Sequence, residues 1–157
     1  MRIAIALIWG LWSVIAVAAP SLTITQGQQQ WALSLAQLQQ LPVTEITSPM
    51  PWQAEPSPQH YRGVRLLELQ RHVGLSAIKQ LKITALNGYQ VMISAEELAQ
   101  IDYLLAYQLN GRPISVREKG PLTLVADVSH LIDTEQSHLI DLNYDMVWFV
   151  SQIDLYE

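Results

Sequence analysis

Asn87-Gly88 separates two runs, "AIKQLKITAL" and "YQVMI", that read as paired strands, and this punctuation constrains the fold more than any other feature of the chain. An Asn-Gly pair readily takes the positive φ angles of a two-residue type I′ turn, so the runs predict a β-hairpin. Similar signals recur. "SLTITQGQQQWALSL" alternates apolar and polar residues about Gly27 and predicts a strand, a turn and a strand, while "LLAYQL" predicts a strand ending in a second turn at Asn110-Gly111. "VTEIT", "PLTLVADV" and the terminal "MVWFVSQIDLYE" predict further strands, the second of them buried. Short helix signals lie between. Ser34 caps "LAQLQQL", which stops at Pro42. "RGVRLLELQRHVGL" predicts a helix with apolar Leu66, Leu67, Leu69 and Val73, closed by Gly74. Ser94 and Glu97 form an S-x-x-E capping box that opens "AEELAQI". The proline-rich "SPMPWQAEPSPQH" predicts a loop with no regular ladder, and "SHLIDTEQSHLIDLN" an irregular excursion. Short strands, hairpins and a few short helices predict an α+β fold, one compact mixed β-sheet domain.

The first residues carry a different pattern. "MRIAIALIWGLWSVIAVAA" has a basic start, an apolar middle and small residues at Ala16 and Ala18, which predicts a signal peptide over residues 1–18 and a single mature domain over 19–157. An uncleaved anchor is the alternative, because the apolar run reaches the short end of a membrane-spanning length, roughly 17 to 25 residues. No later segment is long and apolar enough to span a bilayer. With nine Lys and Arg against fourteen Asp and Glu, the chain is acidic, which argues against nucleic acid as a partner. It contains no cysteine, so disulfides, a thiol nucleophile and thiolate metal ligation are excluded.

Catalytic signatures are missing. His60, His72, His130 and His138 lack the i, i+4 spacing of a zinc protease helix, although His130 and His138 flank Asp133 and Glu135. Glu96 and Glu97 suit the first turn of a helix better than they suit acid/base work. More is carried by the aromatic and basic residues. Trp52 lies in the proline-rich loop, where it is either a stacking face for a flat ligand or a loop anchor, and Tyr89 opens the strand after a tight turn. Trp148, among apolar neighbours on an alternating strand, reads as core. Arg112, Arg117 and Lys119 gather beside a Gly-Pro in "SVREKGPLTL", and on extended backbone Arg117 and Lys119 would point to the same side.

In order, "YRGVRLLELQRHVGL", "KITALNGYQVMISAEEL", "LLAYQLNGRPISVREKGPLTLV" and "MVWFVSQIDL" resemble the molybdopterin-binding oxidoreductase domain of the sulfite-oxidase type. They are most similar to its small, exported, single-domain branch. Members have a Thr-x-x-Pro-Trp loop, for which this chain has Thr47 and Trp52, an A-x-N-D-Y hairpin matched by Ala85 to Tyr89, and an R-x-K-G-P-L segment matched by Arg117 to Leu122. Two departures stand out: Gly88 replaces the acid that usually follows the asparagine, and "LVADVS" replaces the usual Tyr-Pro after the G-P-L strand.

The resemblance implies a sulfite-oxidase-like fold and a site that recognises a pterin. Full-sized members hold molybdenum through a cysteine in the loop before the Gly-Val segment, and none exists here. What it implies is therefore a periplasmic, non-catalytic binding protein, with a small pterin as its ligand and no molybdenum cofactor. Such a protein would report to the periplasmic domain of a membrane sensor of cyclic dinucleotide metabolism. A pterin site needs an aromatic face and a few convergent polar groups. Trp52 would stack on the ring beside Tyr89, and Thr47 or Asn87 would meet its amide edge. Arg117 would reach a ring carbonyl or side-chain hydroxyls, with Lys119 nearer the mouth. The rival functions are a molybdenum-cofactor oxidoreductase subunit and a ligand-free interaction module for a membrane receptor.

Overall fold

The computed structural model of the chain describes residues 21–49, 57–74, 78–127 and 146–157. The signal segment, Trp52, His130 and His138 lie outside them.

Alternating side chains build the first sheet. β1 (Leu22–Gln26) and β2 (Gln29–Leu33) pair antiparallel around Gly27, with Leu22, Ile24 and Leu33 buried. β5 (Gln80–Ala85) and β6 (Gln90–Ser94) pair antiparallel about Asn87-Gly88, with Leu81, Ile83, Val91 and Ile93 buried. β10 (Val150–Tyr156) joins the hairpins by running parallel to β1 and antiparallel to β5, giving the order β2-β1-β10-β5-β6.

The second sheet holds β3 (Thr44–Pro49), β4 (Pro58–Arg65), β7 (Tyr103–Leu109) and β8 (Arg112–Pro113) in that order, and β9 (Thr123–Ala126) also pairs with β7. All four residues of β9 and the first five of β7 are buried, as a strand covered on both faces requires. The buried apolar residues of the two sheets, Ile24, Ile83 and Ile153 with Val64, Leu105 and Leu124 among them, form one cluster. Each such side chain contributes about 1.5–3 kcal/mol on burial. Short helices close the connections. α1 (Leu35–Leu38) and α3 (Ala95–Gln100) open on full capping boxes from Ser34 with Gln37 and Ser94 with Glu97. α2 (Leu66–His72) follows β4 directly.

Three sequence expectations need correction. Arg62 to Arg65 belong to the strand β4, so α2 starts only at Leu66. The reason lies at Gly63, where β4 approaches β7 so closely that a Cβ would fall 2.1 Å from the Leu105 carbonyl oxygen. The ladder of β3 and β4 runs into the prolines on both sides, ending at the pair Pro49 and Pro58. Proline is tolerated at such strand ends because its missing N–H lies where pairing stops. Finally, the C-terminal segment is not one continuous strand. Trp148 makes an isolated antiparallel bridge to Thr123, Phe149 takes a φ of 57°, and only then does β10 enter the first sheet. Trp148 is consequently half-buried rather than enclosed in the core.

A polar row crosses the middle of the first sheet. Thr25, Asp154 and Lys82 are register partners on β1, β10 and β5. The Asp154 carboxylate accepts hydrogen bonds from the Thr25 hydroxyl and from Gln152 Nε2 at 2.6 Å, and Lys82 Nζ lies 2.9 Å away. Burial pushes this carboxyl up, but the hydrogen bonds from Thr25, Gln152 and Lys82 and the Lys82 charge outweigh it and hold the group below the usual carboxylate range.

Candidate ligand site

The basic segment folds as a capped turn. Ser115 is extended and accepts the Glu118 N–H at 3.3 Å, while the Glu118 carboxylate accepts the Ser115 hydroxyl at 2.9 Å and its N–H at 3.3 Å. Those bonds, with a contribution from the Arg112 charge, hold the Glu118 carboxyl below its usual range. Residues Val116–Glu118 form one 3-10 turn. This corrects the extended geometry expected for Arg117 and Lys119: Arg117 lies on the 3-10 turn, and Lys119 leaves it in the left-handed region. Arg117 is exposed on the turn, and Lys119 is half-buried. The signal was legible, because Ser115-x-x-Glu118 is the same capping pattern as Ser94-x-x-Glu97.

Lys119 is held by its backbone. It sits in the left-handed region with a φ of 75°, its carbonyl accepts the Thr123 hydroxyl at 2.7 Å and the Phe149 N–H at 3.0 Å, and the next N–H, of Gly120, reaches the Ser115 carbonyl at 2.9 Å. Gly120 is required by close approach, since a Cβ there would lie 2.1 Å from the Ile114 carbonyl oxygen. The peptide between Gly120 and Pro121 is cis. From this anchored backbone the Lys119 ammonium reaches over the Trp148 ring, 3.3 Å from its centroid. That is close contact between a cation and the negative face of an indole. Burial lowers the Lys119 pKa. Beside the pair, Tyr61, Leu109, Ile114 and Thr123 enclose a cavity of about 20 Å³. Burial pushes the Tyr61 hydroxyl up to about 12, so it remains a neutral phenol.

Asn87 and Tyr89 stand on the β5–β6 turn, both exposed, with Asn87 Oδ1 accepting the Tyr89 N–H at 3.1 Å. The structure links this turn to Lys119 through one residue, since the Leu86 N–H donates to the Phe149 carbonyl at 2.9 Å while the Phe149 N–H donates to Lys119. An open cleft of about 420 Å³ lies where these segments meet, lined by Leu86, Pro121, Val150, Gln152 and Thr23. Thr47 opens elsewhere. Its hydroxyl is 2.9 Å from His60 Nδ1 in a groove of about 220 Å³ that also contains Glu45, Arg62 and Gln108. Trp52 lies outside the described residues, and the aromatic beside the basic segment is Trp148, for which the alternating apolar pattern predicts a core position. Nothing in the sequence alone foretold that contact, because it depends on the break at Phe149.

The family profile of the oxidoreductase molybdopterin binding domain matches residues 14–132. The chain belongs to that family. Its sheet-rich architecture with a few short helices is compatible with membership, and Trp148 and β10 lie beyond the matched residues. No curated protein matches the sequence.

The residues fit the organic part of the family's cofactor better than its metal. A pterin is flat and rich in donors and acceptors, and the segment from Ser115 to Gly120 sets the Lys119 ammonium over an indole face and leaves Arg117 exposed. The chain offers no thiolate, and among the described residues no three His, Asp or Glu side chains converge on a point. The cysteine-ligated molybdenum of full-sized members therefore has no equivalent donor here.

Proposed function

We propose that the protein binds a small pterin and does no redox chemistry with it. The observation that carries this is the pairing of a molybdopterin-binding family match with a chain that contains no cysteine. Recognition of the ring is retained, and the ligand that would tether molybdenum is absent. Arg117, exposed on the capped turn, addresses a ring carbonyl or the side-chain hydroxyls of the ligand, because a guanidinium offers donors in a fixed fork. Asn87 and Tyr89 border the same region through the Leu86–Phe149–Lys119 links. Thr47, paired with His60, belongs to a separate groove and is the outlying member of the proposed contacts.

Export, with residues 1–18 removed, and delivery of ligand occupancy to the periplasmic domain of a membrane sensor complete the proposal. They are supported by the basic-apolar-small pattern of the first residues and by the lack of any catalytic constellation in the sequence. Calorimetric titration with biopterin tests the ligand class. Saturable binding of one pterin per chain, retained after exhaustive metal chelation, is expected. Heat indistinguishable from dilution, for both oxidised and reduced pterins, overturns the proposal.

A further inference from the structure

The first sheet carries an irregularity at the start of its C-terminal strand. Val150 of β10 pairs with Ala85 and Gln152 pairs with Thr84, so Ser151 is an extra residue in the ladder with β5. On an unbroken strand, neighbouring side chains point to opposite faces. Here Val150, Ser151 and Gln152 all line the open cleft of about 420 Å³, together with Thr23 of β1 and with Leu86 and Pro121. A bulge re-aims side chains in this way, and bulges gather where strands border functional sites. The volume lies within the range of small-molecule sites, roughly 300–1,000 Å³.

The polar groups of the cleft have defined roles. Gln152 Nε2 donates to Asp154 Oδ1 at 2.6 Å. A carboxylate only accepts, so the amide cannot turn over, and Gln152 Oε1 is fixed as an acceptor on the other side. The Ser151 hydroxyl donates to the Thr84 carbonyl at 3.2 Å, which leaves its lone pairs to accept. Thr23 is the register partner of Gln152 across the β1–β10 ladder, and its hydroxyl can donate. Neighbouring strands lie about 4.8 Å apart, so an acceptor and a donor stand side by side. Leu86, Pro121 and Val150 supply apolar walls, and among the described residues no charged side chain lines the cleft. Such a set suits a neutral flat ring whose edge carries donors next to an acceptor. The 2-amino-4-oxo edge of a pterin is of this kind, since its amino group and N3–H donate and its 4-oxo group accepts.

We infer that the pterin ring seats in this cleft and that Gln152 determines its specificity, with Gln152 Oε1 accepting from the 2-amino group or N3–H and the Thr23 hydroxyl donating to the 4-oxo group. This rests on the pterin reading above and deepens it by naming the pocket and the residue that reads the ring. It leaves Arg117 the hydroxyls of the ligand's side chain. Val150, Ser151 and Gln152 lie beyond residues 14–132, so family membership assigns them no role.

The experiment titrates the wild-type chain, Gln152→Met and Thr23→Val with pterin and with lumazine, whose 2-oxo group replaces the 2-amino group. Folding is checked by circular dichroism. In parallel, the Leu86 and Val150 methyl resonances of the wild-type protein are followed by NMR as biopterin is added, because a ring in the cleft shifts them. The wild-type chain is expected to bind pterin roughly 2- to 10-fold more tightly than lumazine, the change carried by one hydrogen bond. Gln152→Met should weaken pterin by a similar factor and bring the two ligands close to equal affinity. Thr23→Val should weaken both ligands alike, since both carry the 4-oxo group. Should Gln152→Met fail to fold, the methyl shifts and Thr23→Val decide the matter. Equal affinity of the wild-type chain for pterin and lumazine overturns this inference alone. So does a Gln152→Met variant that keeps the wild-type preference, a Thr23→Val variant that binds as the wild type does, or a saturated protein whose Leu86 and Val150 methyls have not moved. No binding of pterin or biopterin to the wild-type protein overturns both this inference and the pterin reading beneath it.

Discussion

Replacing Asp154 with alanine probes the one buried carboxylate among the described residues of the first sheet. Asp154 is 8% exposed and takes hydrogen bonds from Thr25 and Gln152. Hydrogen bonds to a charged group contribute roughly 1.5–3 kcal/mol each, and the remaining donors can rotate toward solvent at this sheet face, so the lower end applies. Asp154→Ala is therefore expected to lose about 2–3 kcal/mol in urea unfolding at pH 7. The pH dependence separates this cause from lost packing. The folded-state carboxyl is held below its ordinary value near 3.8, so its contribution is present above that value and disappears as pH falls through the folded value. Lys82 is displaced the other way: the hydrogen bonds it donates to Asp154 and Tyr156, with the Asp154 charge, raise it above 10.5, and its contribution is lost as pH rises through the folded value. The stability gap between wild type and variant should stay level from about pH 5 to pH 9 and narrow at both extremes. A loss under about 0.5 kcal/mol, or a gap that persists unchanged into acid, would refute the assignment of Asp154 as the organiser of this row.

Other perturbations follow from single contacts. Gly63→Ala forces a methyl group onto the Leu105 carbonyl and should cost about 3 kcal/mol or prevent folding, read by thermal or urea denaturation. Ser94→Ala removes one half of the α3 capping box and should cost about 1 kcal/mol by the same measure. Arg117→Ala, on an exposed turn, should leave the unfolding midpoint unchanged while weakening biopterin about tenfold, roughly the 1.4 kcal/mol of one charge-assisted hydrogen bond.

Local chemistry made much of the fold legible before any coordinates. Asn87-Gly88, Asn110-Gly111 and Gly27 each stand in a tight turn between paired strands, and Ser94-Glu97 opens a helix as its spacing demands. These signals act within a few residues, so sequence order preserves them. Long-range packing overrides local pattern at Arg62 to Arg65, which the sequence joins to the following helix but where β7 lies across Gly63. The basic segment stands out by its composition, but its geometry is set by the Ser115-Glu118 cap, which turns the backbone where extended chain would alternate. The partner of Lys119 was not legible at all. Lys119 and Trp148 meet because Phe149 breaks the last strand and returns its carbonyl and N–H to the β5–β6 turn and to Lys119. A contact set by three distant segments leaves no trace in the order of residues.

The central claim is pterin binding without a molybdenum centre, and native mass spectrometry of the protein isolated from its own cells, with metal analysis of the same sample, tests it most directly. A single bound pterin near one per chain, with molybdenum at background, is the predicted result. Molybdenum in stoichiometric amount, or protein that carries no pterin and takes up none when it is supplied, would contradict it.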